Sequence, residues 1–531
     1  LCLNTSALKR VDSIIPKLPK LVQDYLDRSE ALAEFTQFSP DMAGLKAAWA
    51  NRMGQNFDRS ILIEVLNDQS RSSSYSNGIT EAQINRLSDP KTVTITTGHQ
   101  LCVYGGPLFF FYKIVSAIKL AQMLKDQGIS AIPIYWMASE DHDFEEINHV
   151  FIGGTKSIWK TEQSGAVGHM KLGELDAFKK EIREYFNDDH RYKESLDALD
   201  TIFGSDRSLS SAIRDFVYWV FADSGVIVID ADDSRLKRVF VPYIQKELTT
   251  QFSQNELEKT TSLLESMDYN GQVNGREINL FWLESGYRDR IVKAQVGYAT
   301  SDGTRSWSKD ELLSLVESKP ECFSPNVILR PLYQEVILPN IAYIGGPGET
   351  SYWLQLRDVF KSANCPMPVI LLRDMFALVS EKAMKKVAQL GLSLDDVYKD
   401  REAVVTELIR AIGSNEHLVQ EKRTQIDAIL RTLIAELGEL DSTLGQSTEA
   451  ESTRMSKRLV RLEKKVLRSD KQRNGVVAQR FDFAANELLP AGTPQERRMN
   501  WLDYFSDPTS VLDLLEHANP LHPSLDFIQV D

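Results

Sequence analysis

Apolar positions along this chain follow three successive rhythms. Residues 1–90 carry a polar, mostly helical pattern, interrupted at Arg71–Gly78 (RSSSYSNG), where no packing pattern survives. At Thr92 the texture changes. Thr92–Thr96 (TVTIT) is a β-branched run that ends in Thr97-Gly98-His99-Gln100, and a Gly105-Gly106-Pro107 turn leads into the helical stretch Leu108–Gly128. Pro107 suits the first turn of that helix and Gly128 its end. Ala131–Ala138 (AIPIYWMA) then reads as a buried parallel strand. Strand, helix and strand make a βαβ unit, whose crossover is expected to be right-handed.

Residues 151–215 read as an insertion of polar helices. Near-continuous apolar runs resume at Gly225–Asp230, Asn326–Arg330, Ile341–Ile344 and Pro368–Leu372, all strand candidates, so a parallel α/β core is expected over 91–375. Residues 376–480 turn helical. Ile426, Leu430, Leu433, Leu437, Leu440 and Leu444 are spaced 4, 3, 4, 3, 4, and Met455, Leu459, Leu462 and Val466 are spaced 4, 3, 4. With Gly445 and Ser447 between the stripes, this predicts two helices folding back as an antiparallel coiled coil. The basic run Arg454–Arg473 reads as a solvated helix face in preference to a phosphate site. Residues 481–531, rich in Pro and aromatics, are expected to pack back on the body.

Composition narrows the function. A chain of 531 residues, 42% hydrophobic and 26% charged, fits a globular protein of two or three domains. Its formal charge of -14 argues against nucleic-acid or anionic-membrane partners, though a local site can still be basic. No apolar run approaches the roughly 20 residues of a membrane helix, and the first residues lack a signal-peptide core. The four cysteines, Cys2, Cys102, Cys322 and Cys365, form no CxxC pair, which excludes a zinc ribbon and points to a reducing cytoplasm.

Three segments can carry chemistry. In Thr97–Lys113, Gly98, Gly105 and Gly106 let backbone approach a ligand, with His99, Gln100 and Lys113 beside them, and the helix after Pro107 would offer N–H groups to an anion. The spacing matches neither a P-loop nor the dinucleotide fingerprint. In Ser139–Val150 (SEDHDFEEINHV), Glu140, Asp141, His142 and Asp143 stand at the mouth of a strand, followed by Asn148 and His149. Such charge density is costly unless paired, solvated or in use. His142 serves best as a general base with carboxylates orienting it, and a metal pair with His149, seven residues on, is the weaker reading. Ser139 capping a surface loop is the bland alternative. In Ile344–Trp353, Gly345, Gly346 and Gly348 precede Glu349 and Tyr352. Glu349 could hold an amino group or ribose, or only partner the helix dipole. Upstream, Arg330 could take a carboxylate or phosphate, or neutralise the acidic cluster, with Gln334 beside it. Cys102 reads as packing.

Thr97–Lys113, Ile132–Val150 and Asn326–Trp353, with Gly492–Arg497 (GTPQER) near the end, together resemble the BshC family, cysteine ligases of bacillithiol biosynthesis. The resemblance spans most of the chain in the same order. It implies a Rossmann-like core with helical insertions, related to class I aminoacyl-tRNA synthetases, and a helical coiled-coil domain that forms a homodimer. It implies ligation of the cysteine carboxyl group to the amine of glucosaminyl-malate, with ATP and Mg²⁺ as candidate co-substrate and no tightly bound cofactor or metal. Read through it, His142 or Asp141 would take the amine proton, Glu349 would anchor the cysteine ammonium and Arg330 the malate carboxylates. The chain departs from the synthetase pattern: the first helix has no His-x-Gly-His, and Arg454–Arg458 (RMSKR) matches KMSKS only superficially, inside the coiled coil. Two other readings are a metal-dependent hydrolase built on Glu140–Asp143, and a coiled-coil scaffold whose core only binds nucleotide.

Overall fold

A computed structural model describes residues 9–14, 18–55, 57–187, 189–413 and 415–530. Cys2 lies outside this set, and of the N-terminal stretch read for a signal peptide residues 1–8 and 15–17 do too. The chain divides into two compact units, 1–377 with 496–526, and 378–495 with 527–531.

The first unit is built on a parallel sheet of β1 (Val93–His99), β2 (Ala131–Met137), β3 (Ile227–Asp230), β9 (Asn340–Gly345) and β10 (Val369–Leu372), in the order β10-β9-β1-β2-β3. Every pairing is parallel. Helix α1 (Phe109–Asp126) joins β1 to β2. Gly128, at φ 77°, supplies the left-handed residue past its end. Apolar side chains cover both faces of the sheet. Val93, Ile95 and Ile344 pack with Leu120 and Leu124 on one side; Ile132, Ile134 and Ile229 pack with Phe240 and Tyr333 on the other. Buried threonines of β1 are satisfied across the sheet: Thr94 and Thr96 hydroxyls donate to Asn340 Oδ1 at 3.2 and 2.9 Å. Burial on both faces explains why these strands read as continuous apolar runs.

Helices Lys20–Leu26, Met42–Met53, Ser60–Arg71 and Gly78–Arg86 precede the sheet. Arg59 ties them to the entry of β1, donating to the carbonyls of Leu87, Asp89, Pro90 and Thr92 at 2.6–3.0 Å. The 151–215 region holds part of a hairpin, His149–Ile152 with Thr155–Ile158, and helices at Asp176–Phe186, Lys193–Ile202 and Leu209–Phe221. After α2 (Ser234–Thr250) comes an antiparallel sheet without a strand signal in the apolar rhythm. Its strands are β4 (Leu280–Glu284), β5 (Tyr287–Lys293), β6 (Tyr298–Thr300), β7 (Ser306–Trp307) and β8 (Phe323–Pro325), in the order β7-β6-β5-β4-β8.

The expected strand at Asn326–Arg330 is instead the entry to helix α3 (Leu329–Ile337). Asn326 Oδ1 accepts the N–H groups of Ile328 and Leu329 and starts the turn, and Pro331 suits the first helical turn. Ile328, Leu329, Leu332 and Tyr333 are buried on several sides, and such a run lacks the period that separates helix from strand. Helix α4 (Pro347–Gln355) follows β9.

The second unit contains α5 (Glu416–Leu440) and α6 (Ser442–Arg473), which fold back on each other. The reversal is at Asp441, earlier than expected. Its carboxylate accepts Thr443 N–H at 2.6 Å and caps α6, so Leu444, Gly445 and Ser447 are already helical. Gly445 is required by contact: a Cβ there would lie 2.9 Å from Gly438 Cα. Arg423 pairs with Glu463 across the hairpin at 2.9 Å. Among the described residues, no helix is long and apolar enough to cross a membrane.

Arg59→Leu removes a charged donor from four carbonyls. Urea unfolding followed by tryptophan fluorescence should show about 3 kcal/mol lost stability.

Candidate active site

Strand order reverses at β1: β2 and β3 lie on one side, β9 and β10 on the other. Parallel sheets take ligands outside the carboxyl ends of their strands at such a point. A cavity of about 900 Å³ opens there. Lys113, on α1 and 5% exposed, reaches its rear wall, donates to Gly98 O at 2.8 Å and pairs with Glu349. Glu349 also accepts Gly346 N–H at 2.9 Å and the Tyr343 hydroxyl at 2.5 Å. Burial lowers the Lys113 pKa despite Glu349. Burial raises that of Glu349, but Lys113 and the Gly346 N–H outweigh it and leave the carboxyl below its ordinary value.

The segment after β2 forms an acidic wall. Glu140 pairs with the fully buried Lys237 of α2, which also lies 3.5 Å from Asp232 and donates to Phe323 O at 2.9 Å. Burial raises the Glu140 pKa beyond what Lys237 restores. Burial lowers that of Lys237, but the two carboxylates prevail and raise it. Burial also raises Asp141, yet the backbone N–H of His142 at 2.8 Å, the Gln100 amide and the charge of Arg288 outweigh it and bring it to about 2. Gln100 Nε2 bridges Asp141 at 3.1 Å and Glu146 at 2.5 Å. Arg288 donates to His142 Nδ1 at 2.6 Å, which places the ring proton on Nε2, and stacks 3.9 Å from the Phe281 centroid.

Facing this wall are cations. Arg330 lies between the rings of Trp136 and Tyr343 and donates to Gln334 Oε1 at 3.1 Å and the Tyr352 hydroxyl at 3.3 Å. Arg276 and Arg290 line the same cavity. Among the described residues, no acidic side chain pairs with Arg276, Arg290 or Arg330.

Residues 8–374 match the family described as "Bacillithiol biosynthesis BshC, N-terminal Rossmann-like domain", and residues 376–529 match "Bacillithiol biosynthesis BshC, C-terminal coiled-coil domain". The chain belongs to the BshC family. Similar relatives carry the name "Putative cysteine ligase BshC". One from Flavobacterium johnsoniae is 36% identical, over 96% of this chain and 97% of its own. One from Flavobacterium psychrophilum is 34% identical, over 95% of each. One from Christiangramia forsetii is 34% identical, over 94% of this chain and 95% of its own.

In this BshC chain the cavity gathers Gly98, His99, Gln100 and Lys113 with Glu140, Asp141 and His142, and with Arg330, Glu349 and Tyr352. His99 is neutral: burial and Lys113 push its pKa down to about 3. Gln334 lies behind Arg330 and orients it, and donates in turn to Glu335 at 2.8 Å. Gly345 and Gly346 sit beneath Glu349, and Gly348 follows in α4.

Other candidates fall elsewhere. Asp143 is exposed ahead of the short helix Phe144–Ile147, and Ser139 caps nothing there. Asn148 and His149 enter the hairpin and bond each other at 3.2 Å. The Gly105–Pro107 turn is not an anion cradle. The N–H groups of Gly105, Gly106, Phe110 and Phe111 bond Cys102, Val103, Pro107 and Leu108, and Leu108 N–H reaches Met499 O. The carbonyls of Tyr104 and Gly106 accept from Asn500 and Trp501. Cys102 is buried, its thiol pushed up to about 12.

The metal reading lacks ligands: His142 receives Arg288, Glu140 holds Lys237, and among the described residues no three His, Cys, Asp or Glu side chains converge. Sequence reading missed Lys237, Arg276, Arg288 and Arg290. Alternation in YRDRIVK put Arg288 and Arg290 on one strand face and was the available signal.

Glu349→Gln leaves Lys113 buried and unpaired and should cost about 3–5 kcal/mol at neutral pH. Because the folded carboxyl lies below its ordinary 4.5, that contribution is full above 4.5 and disappears as pH falls through the lowered value. Denaturant titrations of both proteins against pH should therefore converge only in acid.

Proposed function

We propose that this chain is a cysteine ligase that forms the amide between the cysteine carboxyl group and the amine of glucosaminyl-malate, giving bacillithiol. The observation that carries this reading is one cavity at the switch point with an acidic wall facing unpaired arginines. Its volume lies within the range of about 300–1,000 Å³ usual for small-molecule sites.

A carboxylate is a poor electrophile, and ATP with Mg²⁺ would supply a leaving group on it. The Gly105–Pro107 turn does not fit the phosphates, because its N–H groups are already bonded. The cavity arginines fit anionic oxygens.

The acceptor amine must lose a proton as it attacks. Asp141, at about 2, is too weak a base, and His142 presents a proton from Nε2. Glu140, raised by burial and held by Lys237, fits the base. The His142 Nε2–H and Arg288 fit the oxyanion that develops as the carbon–nitrogen bond forms. Asp141 and Glu146 fit the cysteine ammonium. Glu349 does not, since Lys113, Tyr343 and Gly346 already occupy its oxygens. Arg330 fits a carboxylate.

The coiled coil supports homodimerisation: Ile429, Leu440, Leu444, Met455 and Leu462 remain exposed on the hairpin. A cytoplasmic location belongs to the same proposal.

Purified protein with ATP, cysteine and glucosaminyl-malate should yield bacillithiol by mass spectrometry, and absence of product sinks the proposal. Glu140→Gln should lower kcat about 100-fold or more, with KM nearly unchanged and the acidic limb of the pH–rate profile lost. Circular dichroism checks that the variant folds.

A further inference from the structure

The cavity rim beyond the acidic wall is a loop built to hold its shape. Gln272, Asn274 and Arg276 alternate along it and all three line the cavity. Two buried amides pin the loop from behind. Gln355, at the end of α4, accepts the N–H groups of Gln272 and Val273 at 2.7 and 3.0 Å and donates to Val273 O at 3.3 Å. Asn279 accepts Arg276 N–H at 3.1 Å and donates to Arg276 O at 3.0 Å. Asn279 is itself fixed by Glu247, which accepts its N–H at 2.9 Å. The flanking glycines permit this close seating: a Cβ at Gly271 or Gly275 would lie 3.0 Å from Gln355 or 3.1 Å from Leu257.

Arg290 comes from β5, two residues beyond Arg288 on the same strand face. Its Nε is buried with no hydrogen-bond partner. Arg276 likewise has no acidic partner among the described residues. Two guanidinium groups without counter-charge, on a pre-shaped rim with amide donors at Gln272 and Asn274, leave an electrostatic vacancy for two negative charges. The loop N–H groups at 272, 273 and 276 already bond Gln355 and Asn279, so the backbone cradle typical of phosphate sites is missing. Two separate planar forks suit two carboxylates better than one phosphate chain.

We propose that Arg276 and Arg290, with Gln272 and Asn274, form a subsite for a dicarboxylate group. Taken with the ligase reading, that group is the malate arm of the acceptor, which places its amine towards Glu140. The subsite itself stands on the arginines and amides.

Calorimetric titration with L-malate, and separately with ATP, tests this on the full chain. Wild type should bind malate, and Arg276→Gln/Arg290→Gln should weaken it about 30-fold or more while ATP affinity stays within about twofold. Arg290→Lys keeps the charge but loses the fork, and should weaken malate about tenfold with wild-type thermal stability. Three results overturn the proposal: no malate binding to wild type up to about 20 mM, unchanged malate affinity in the variants, or loss of ATP affinity in place of malate. Malate binding that depends on both arginines, in a protein that makes no bacillithiol, refutes the ligase reading and leaves the subsite standing.

Discussion

Everything at the switch point depends on one buried cation. Lys113 leaves α1 beneath β1, caps the carbonyl of Gly98 and neutralises Glu349 at the start of α4. It thereby ties the ends of β1 and β9, the two parallel strands at which the strand order reverses. A lysine so buried is costly without partners, and loss of either charge leaves the other stranded at about 3–5 kcal/mol. The same pairing removes Glu349 from substrate chemistry. A carboxylate that closes a helix turn, accepts a tyrosine and neutralises a lysine is a structural anchor of the cavity.

In the proposed reaction the acid–base work falls to the other side, where α2 supplies Lys237 beneath Glu140. Local surroundings separate the neighbouring carboxylates. Asp141 gathers donors and stays ionised far into acid, whereas burial raises Glu140 despite its lysine. Groups pushed apart in this way are suited to different tasks. Arg288 sets the His142 tautomer from a strand of the antiparallel sheet. The site is therefore assembled from two sheets and their connections: the acids follow β2 of the parallel sheet, Arg288 and Arg290 come from β5 of the antiparallel one, and Arg276 and Arg330 come from the loop before β4 and from α3.

Local pattern carried the sequence reading as far as local physics decided the outcome. The unit from Val93 to Met137, the later strands at 227–230, 340–345 and 369–372, and the heptad hairpin were legible because burial on fixed faces imposes period. Asn326–Arg330 was misread because an apolar run buried on several sides has no period, and the deciding signal was a single Asn turn. The two Gly-Gly-Pro junctions look alike in the sequence, and neither lines the cavity itself; the helices after them bring Phe109, Lys113, Glu349 and Tyr352 to it. Asn500 and Trp501 bond the first from 394 and 397 residues away, and no local pattern reports that. The arginines of β5 were similarly hidden, since their role depends on a cavity that only the folded sheets define.

The most direct test of this account is a crystal structure with cysteine and glucosaminyl-malate bound. Density for both is expected between the ends of β1, β2 and β9, with the acceptor amine near Glu140 and the Lys113–Glu349 pair intact. Ligands outside that cavity, or cysteine displacing Lys113 from Glu349, would contradict it.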